Sequence, residues 1–107
     1  MLARIGDKWS ILVVGTLGEG PVRFNELRRR IGDISQKMLS STLKALERDG
    51  LVARTVTPSV PPQVDYELTD LGRELLVPVS ALAAWTSENT PRIMAARERY
   101  DTGRALG

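Results

Sequence analysis

The side chains best equipped for chemistry lie in one stretch, ISQKMLSSTLKALERDGLVART, residues 34–55. Laid out at 100° per residue, Leu39, Leu43 and Leu46 form an apolar stripe, while Lys37, Ser41, Lys44 and Arg48 fall on the opposite pole with Gln36 and Ser40 at its side. A helix that buries the leucines presents hydrogen-bonding groups beside cations. Short or planar groups such as Ser and Gln suit base edges, and ammonium groups suit phosphates. On that chemistry Gln36, Ser40 and Ser41 are candidates for bases, and Lys37 and Lys44 for the backbone of double-stranded DNA.

Other chemistries are excluded by what the chain lacks. It has no cysteine and no histidine, so the usual zinc sites, thiol nucleophiles and Ser-His or Cys-His arrangements cannot be assembled. Its carboxylates occur singly, mostly on expected exposed helix faces, where a solvated role is ordinary. The sequence therefore reads as a non-enzyme with no metal site and no cofactor. Net charge is only +2, but it is unevenly spread. Residues 21–54 hold eight basic side chains (Arg23, Arg28, Arg29, Arg30, Lys37, Lys44, Arg48, Arg54) against four acidic ones (Glu26, Asp33, Glu47, Asp49). Arg28, Arg29, Arg30 and Arg54 join the lysines as phosphate candidates.

These residues need a frame. At 107 residues, 42% hydrophobic and 26% charged, the chain suits one folded domain with a modest core. Its apolar runs, Ile11 to Val14 and the broken Leu75 to Trp85, fall short of the roughly 20 residues that span a bilayer. Arg4 precedes an apolar run that Asp7 and Lys8 interrupt, with no small-residue cleavage pattern, so no leader is expected and the cytoplasm is the expected location.

Residues 7–18, DKWSILVVGTLG, read as a helix apolar on nearly every side, one side for its own core and the other for a second subunit. Gly18 to Pro21 end it. Val22 to Phe24 is extended, and NELRRRIG forms a second helix with Asn25 as its cap and Leu27 and Ile31 inward. Gly32 and Asp33 turn the chain, Ser35 caps the third helix, and Ile34 and Leu39 form a hydrophobic staple. Gly50 stops that helix in a left-handed turn. LVARTVT and VDYEL are two strands joined by PSVPPQ, with Val64, Tyr66 and Leu68 inward and Asp65 and Glu67 outward. Thr69 caps a long helix kinked at Pro78. A separate last helix opens at Thr90 and Pro91, and residues 103–107 fray.

The expected fold is mainly α with a small β-hairpin (α+β): a winged helix-turn-helix with additional C-terminal dimerisation helices. It forms a single domain over residues 1–107, with a DNA-binding core of about 7–68 and dimerisation helices at 69–103. Two other readings stay open on the residues alone. One is a winged-helix protein-protein interaction module without DNA. The other adds a small-molecule effector pocket between the first and fourth helices, near Trp9 and Trp85.

Several ordered motifs, GPVRFNEL, ISQKML, LKALERDGLVAR and VPPQVDYELT, together resemble the HxlR family of bacterial transcription regulators. The match reaches upstream to GDKW at residues 6–9 and downstream to Trp85. The resemblance implies a homodimer on a partly palindromic operator, third helices in successive major grooves and wings beside the minor grooves, with half-sites roughly 10 bp apart. It implies dimer contacts through the terminal helices, here Trp9, Leu12, Val13, Leu82 and Trp85. Arg23 and Gln63 complete the candidate DNA contacts, although the Gln63 position is often basic in the family. Many members sense oxidants through a cysteine ahead of the first helix, and this chain offers no thiol.

Overall fold

The structure, a computed structural model, describes residues 7–106. Arg4 and Gly6, used above for the leader and the upstream motif, lie outside the described residues. Helix α1 (Lys8–Thr16) is capped by Asp7, whose carboxylate accepts from the Trp9 and Ser10 amides at 2.8 and 3.3 Å. It continues as a 3-10 turn, Leu17–Glu19. Its apolar character is used unevenly, for Val13 and Val14 are fully buried while Leu12 remains 39% exposed.

Strand β1 (Val22–Arg23) leads straight into α2 (Phe24–Ile31). Asn25 is therefore not the cap. Arg23 occupies that position with no side-chain capping bond, because Val22 and Arg23 are held extended by antiparallel pairing with Tyr66 and Asp65 and the helix begins where the pairing stops. A two-residue strand leaves almost no periodic signal in a sequence. Helix α3 (Gln36–Arg48) starts as expected, with Ser35 Oγ accepting from the Met38 amide at 3.0 Å. Ile34 and Leu39 are both in the core.

The wing consists of β2 (Val52–Thr57) and β3 (Gln63–Leu68), paired antiparallel from Val52↔Leu68 out to Thr57↔Gln63. With β1 on its other edge, β3 is the centre of a three-stranded sheet in the order β1-β3-β2. That position alters the expected alternation. Asp65 and Glu67 are half-buried rather than fully outward, and Asp65 Oδ1 lies 3.9 Å from Arg23 Nε on the neighbouring strand.

Helix α4 (Asp70–Leu106) differs most from expectation, being one element of 37 residues that contains both Pro78 and Pro91. No separate final helix opens at Thr90. Its hydroxyl donates to the Thr86 carbonyl at 2.7 Å, within the same helix, instead of capping a new one. Both prolines are exposed. Residues 103–106 are helical too.

One core of twelve buried apolar side chains joins these elements: Val13, Val14 and Leu17 from α1 and its turn, Val22, Leu27 and Ile34, then Leu39, Leu43 and Leu46 of α3 with Leu51, Val52 and Leu68. Leu75, Leu76 and Val79 lay the first turns of α4 against it. Beyond Val79 the helix leaves the body, which accounts for overall dimensions of 62 × 26 × 24 Å, since 37 helical residues measure about 55 Å.

The end of α3 is tied to the start of α4. Gly50, at φ 78°, follows the helix. Its amide donates to the Glu47 carbonyl and the Leu51 amide to the Leu46 carbonyl, each at 3.0 Å, the paired bonds of a Schellman stop. The carbonyls of Gly50 and Leu51 themselves are taken by Thr69, whose amide donates to Leu51 O at 3.1 Å and whose hydroxyl donates to Gly50 O at 2.6 Å. That hydroxyl also accepts from the Gly72 amide at 3.1 Å, capping α4. A Cβ at Gly72 would collide with the Leu51 carbonyl oxygen. Gly72→Ala is accordingly expected to lower stability in denaturant unfolding by about 1–3 kcal/mol. Gly103→Ala, where an added methyl meets nothing within 4 Å, is expected instead to raise it by about 0.5–1 kcal/mol through helix propensity.

Candidate nucleic-acid interface

Helix α3 turns Leu39, Thr42, Leu43 and Leu46 into the core. The remaining arc carries the polar candidates. Gln36, Lys37, Ser41 and Lys44 are exposed and Ser40 is half-buried, and all five line one shallow surface depression. Among the described residues the ion pairs fall to Arg23, Arg29 and Arg30 and include neither Lys37 nor Lys44. The N-terminal half of the helix holds Gln36, Lys37 and Ser40, the end that enters a major groove when such a helix reads bases.

The consecutive arginines are spent differently. Arg28 Nε donates to the Ile34 carbonyl at 3.3 Å, bracing the turn between α2 and α3. Arg29 forms a two-point contact with Glu26, Nε to Oε2 at 2.9 Å and Nη2 to Oε1 at 2.6 Å, and Arg30 Nε donates to the same Oε1 at 2.9 Å. Hydrogen bonds from Arg29 and then Arg30 hold the Glu26 carboxyl down to about 2, and Glu26 in turn raises the Arg29 guanidinium. A phosphate approaching Arg29 must share it with Glu26. Nothing in the basic run itself signalled this, although Glu26 three and four residues ahead of two arginines is the spacing at which helical side chains meet.

Behind α3 the wing forms a cleft of about 320 Å³ lined by Ser40, Lys44 and Glu47 of the helix and by Arg54 and Tyr66 of the strands. Arg54 and Tyr66 are directly paired across β2 and β3, which aims the Arg54 guanidinium along the same side as Lys44. Tyr66 is anchored against Phe24, ring centroids 6.4 Å apart and tilted by 53°. Tyr66 and Glu47 were absent from the candidate set. The alternation of VDYEL placed Tyr66 inward, but only the strand register brings it beside α3. Gln63 and Arg23 line a second cleft, together with the start of α2, the loop residues Ser59 to Pro62 and Val64 of β3.

The dimer candidates divide. Val13 is 0% exposed and belongs to the subunit's own core, so it has no surface to offer a partner. Trp9 is half-buried, with Lys8 Nζ 4.6 Å from its ring centroid. Leu12, Leu82 and Trp85 stay open, the last two at 51% and 56%. Trp85 borders a depression formed by α4 residues alone, among them Asn89, Arg92, Ile93 and Ala96. Trp9 is not part of it, so the two tryptophans do not share this depression.

An HxlR-like helix-turn-helix family model matches residues 4–94. The chain belongs to this family. The uncharacterized HTH-type transcriptional regulator YtfH of Escherichia coli (strain K12) is 44% identical over 98 residues, covering 92% of this chain and 78% of that protein. A solved structure of the transcriptional regulator ytfH from Salmonella typhimurium superposes with a TM-score of 0.85 at 43% identity, over 91% of this chain and 87% of the other. The redox regulator HypR in its reduced form gives a TM-score of 0.83 at 39% identity, over 88% and 93%. This HxlR-type chain is thus a winged-helix, DNA-binding transcription regulator by family. Among its described residues no group of three or more His, Cys, Asp or Glu is placed to hold a metal ion, and no helix is long and apolar enough to cross a membrane.

The Glu26 contacts make a pH prediction. Its folded-state pKa, about 2, lies below the ordinary 4.5, so its contribution to stability is present above pH 4.5 and is lost as pH falls towards 2. The Glu26 side-chain carboxyl is expected to titrate by NMR with a midpoint near that lower value, and Glu26→Gln to flatten this part of the acid-unfolding profile.

Proposed function

We propose that two copies of this chain bind a partly palindromic operator, each placing α3 in the major groove with its wing beside the adjacent minor groove. The observation that carries this reading is the α3 face: five polar side chains on one surface, two of them lysines outside every ion pair among the described residues. Gln36, Ser40 and Ser41 address base edges, and Lys37, Lys44 and Arg54 take phosphates. Arg23, Arg28, Arg29 and Gln63 are secondary contacts, Arg28 and Arg29 because the turn and Glu26 already engage them. The DNA partner accords with a cytoplasmic location.

Support for the homodimer comes from α4. Leu75, Val79, Leu82, Thr86, Asn89, Ile93, Ala96 and Tyr100 recur at alternating spacings of four and three, the seam of a coiled coil. Leu75 and Val79 pack against the subunit's own core. Leu82 and Tyr100, farther along the same seam, are 51% and 62% exposed. A second copy of the helix would cover what the core no longer reaches, with Leu12 and Trp85 beside it. These 107 residues carry no thiol.

Binding of promoter fragments across a salt series tests the reading, and no salt-sensitive binding to any fragment would sink it. Lys37→Ala is expected to weaken binding to every sequence and, for a dimer losing one phosphate contact per subunit, to lower the salt slope by roughly 2. Gln36→Ala and Ser40→Ala are expected to change which bases are preferred, by about 1–3 kcal/mol at the affected position. Ile93→Asp is expected to shift sedimentation from dimer to monomer, since it places a charge in the seam.

A further inference from the structure

The wing tip is the exposed feature that the α3 reading leaves unused. Val60 is 102% exposed and is flanked by Pro58, Pro61 and Pro62, whose rings fix the backbone φ. Ser59 Oγ closes the loop by donating to the Pro61 carbonyl at 2.7 Å. From Thr55 to Val64 there is no charged side chain, although Arg54 stands at the wing's base. A second apolar side chain, Val56 at 48% exposure, lies behind the tip on β2.

The reach of this loop is set by its strands. Six residues in each carry it about 20 Å from the wing's root at Val52 and Leu68. Half a turn of B-DNA, the step from a major groove to the neighbouring minor groove, is about 17 Å. A tip that arrives there with a cation exploits the negative potential of the groove. This tip arrives with a preordered apolar side chain and three proline rings, which suit sugar edges and partly unstacked base steps instead. The preordering matters because little conformational freedom remains to be lost on contact.

We propose that Val60 and the adjoining prolines pack as an apolar wedge in the minor groove that flanks each half-site, giving the wing a contact whose strength does not depend on salt. The inference rests on the reading of α3 as the DNA-binding helix. It assigns Val60 the role of a contact and specificity residue, with flexible pyrimidine–purine steps favoured beneath it.

The test uses the whole chain with Val60→Ala and Val60→Lys, on a genomic fragment that the unaltered protein binds. Both variants change a side chain that is fully exposed in the free protein, and thermal unfolding checks that they fold. Val60→Ala is expected to lose roughly 3- to 10-fold in affinity at every salt concentration, in proportion to the apolar contact removed, with the salt slope unchanged. Val60→Lys is expected to steepen the slope by roughly 2, one added phosphate contact per subunit of a dimer. If both variants match the unaltered protein in affinity and slope, the wedge is overturned while the α3 reading stands. If the unaltered protein binds no fragment at all, the α3 reading fails and the wedge fails with it.

Discussion

Everything in this chain depends on how the backbone leaves α3. The turn that stops the helix leaves the Gly50 and Leu51 carbonyls in need of donors, and Thr69, nineteen and eighteen residues further along the chain, supplies both. One threonine thereby closes the wing at its root, caps α4 and fixes the angle at which α3 is presented. The left-handed turn at Gly50 and the close approach of Gly72 to the Leu51 carbonyl both need glycine, for different reasons: the first for its φ, the second for its missing Cβ. Without that junction the wing and α3 would be joined only through β2, and the cleft that brings Arg54 beside Lys44 would lose its geometry.

The positive charge of the chain is divided into two kinds. In α2 it is bound internally, Arg28 to the turn and Arg29 and Arg30 to Glu26, where it stiffens the helix that precedes α3. In α3 it is left uncommitted on Lys37 and Lys44. Lysine suits this second use, because a compact ammonium on a flexible stem can follow a phosphate without demanding one fixed geometry. Arginine suits the first, since its planar fork matches a carboxylate at two points. Exposed ion pairs of this kind contribute little stability, so their role is chiefly to hold the guanidinium groups in place.

Helix α4 joins the body to what lies beyond it. Its first turns complete the core through Leu75, Leu76 and Val79, made possible by Gly18, which leaves room for Leu76. The remainder has no subunit of its own to pack on, yet its heptad seam continues. A single helix of this length is not stabilised by propensity alone in a protein of this size, which is the physical reason to expect a second copy alongside.

Much of this was legible in the residues themselves. The α3 stripe, the Ser35 cap, the Gly50 stop, the proline-rich loop and the Thr69 cap are local features, set by side-chain period, backbone conformational preference and hydrogen bonds within a few positions. Composition alone removed zinc and thiol chemistry. The tertiary structure decided what depends on distant partners. The β1–β3 pairing displaced Asn25 from the cap, Glu26 captured two arginines, Val13 went into the subunit's own core, and β2–β3 register set Tyr66 and Arg54 beside α3. It also decided that α4 runs on through Pro78 and Pro91. A sequence read at its local periods records what each segment favours; which neighbour claims each side chain is determined only when the segments meet.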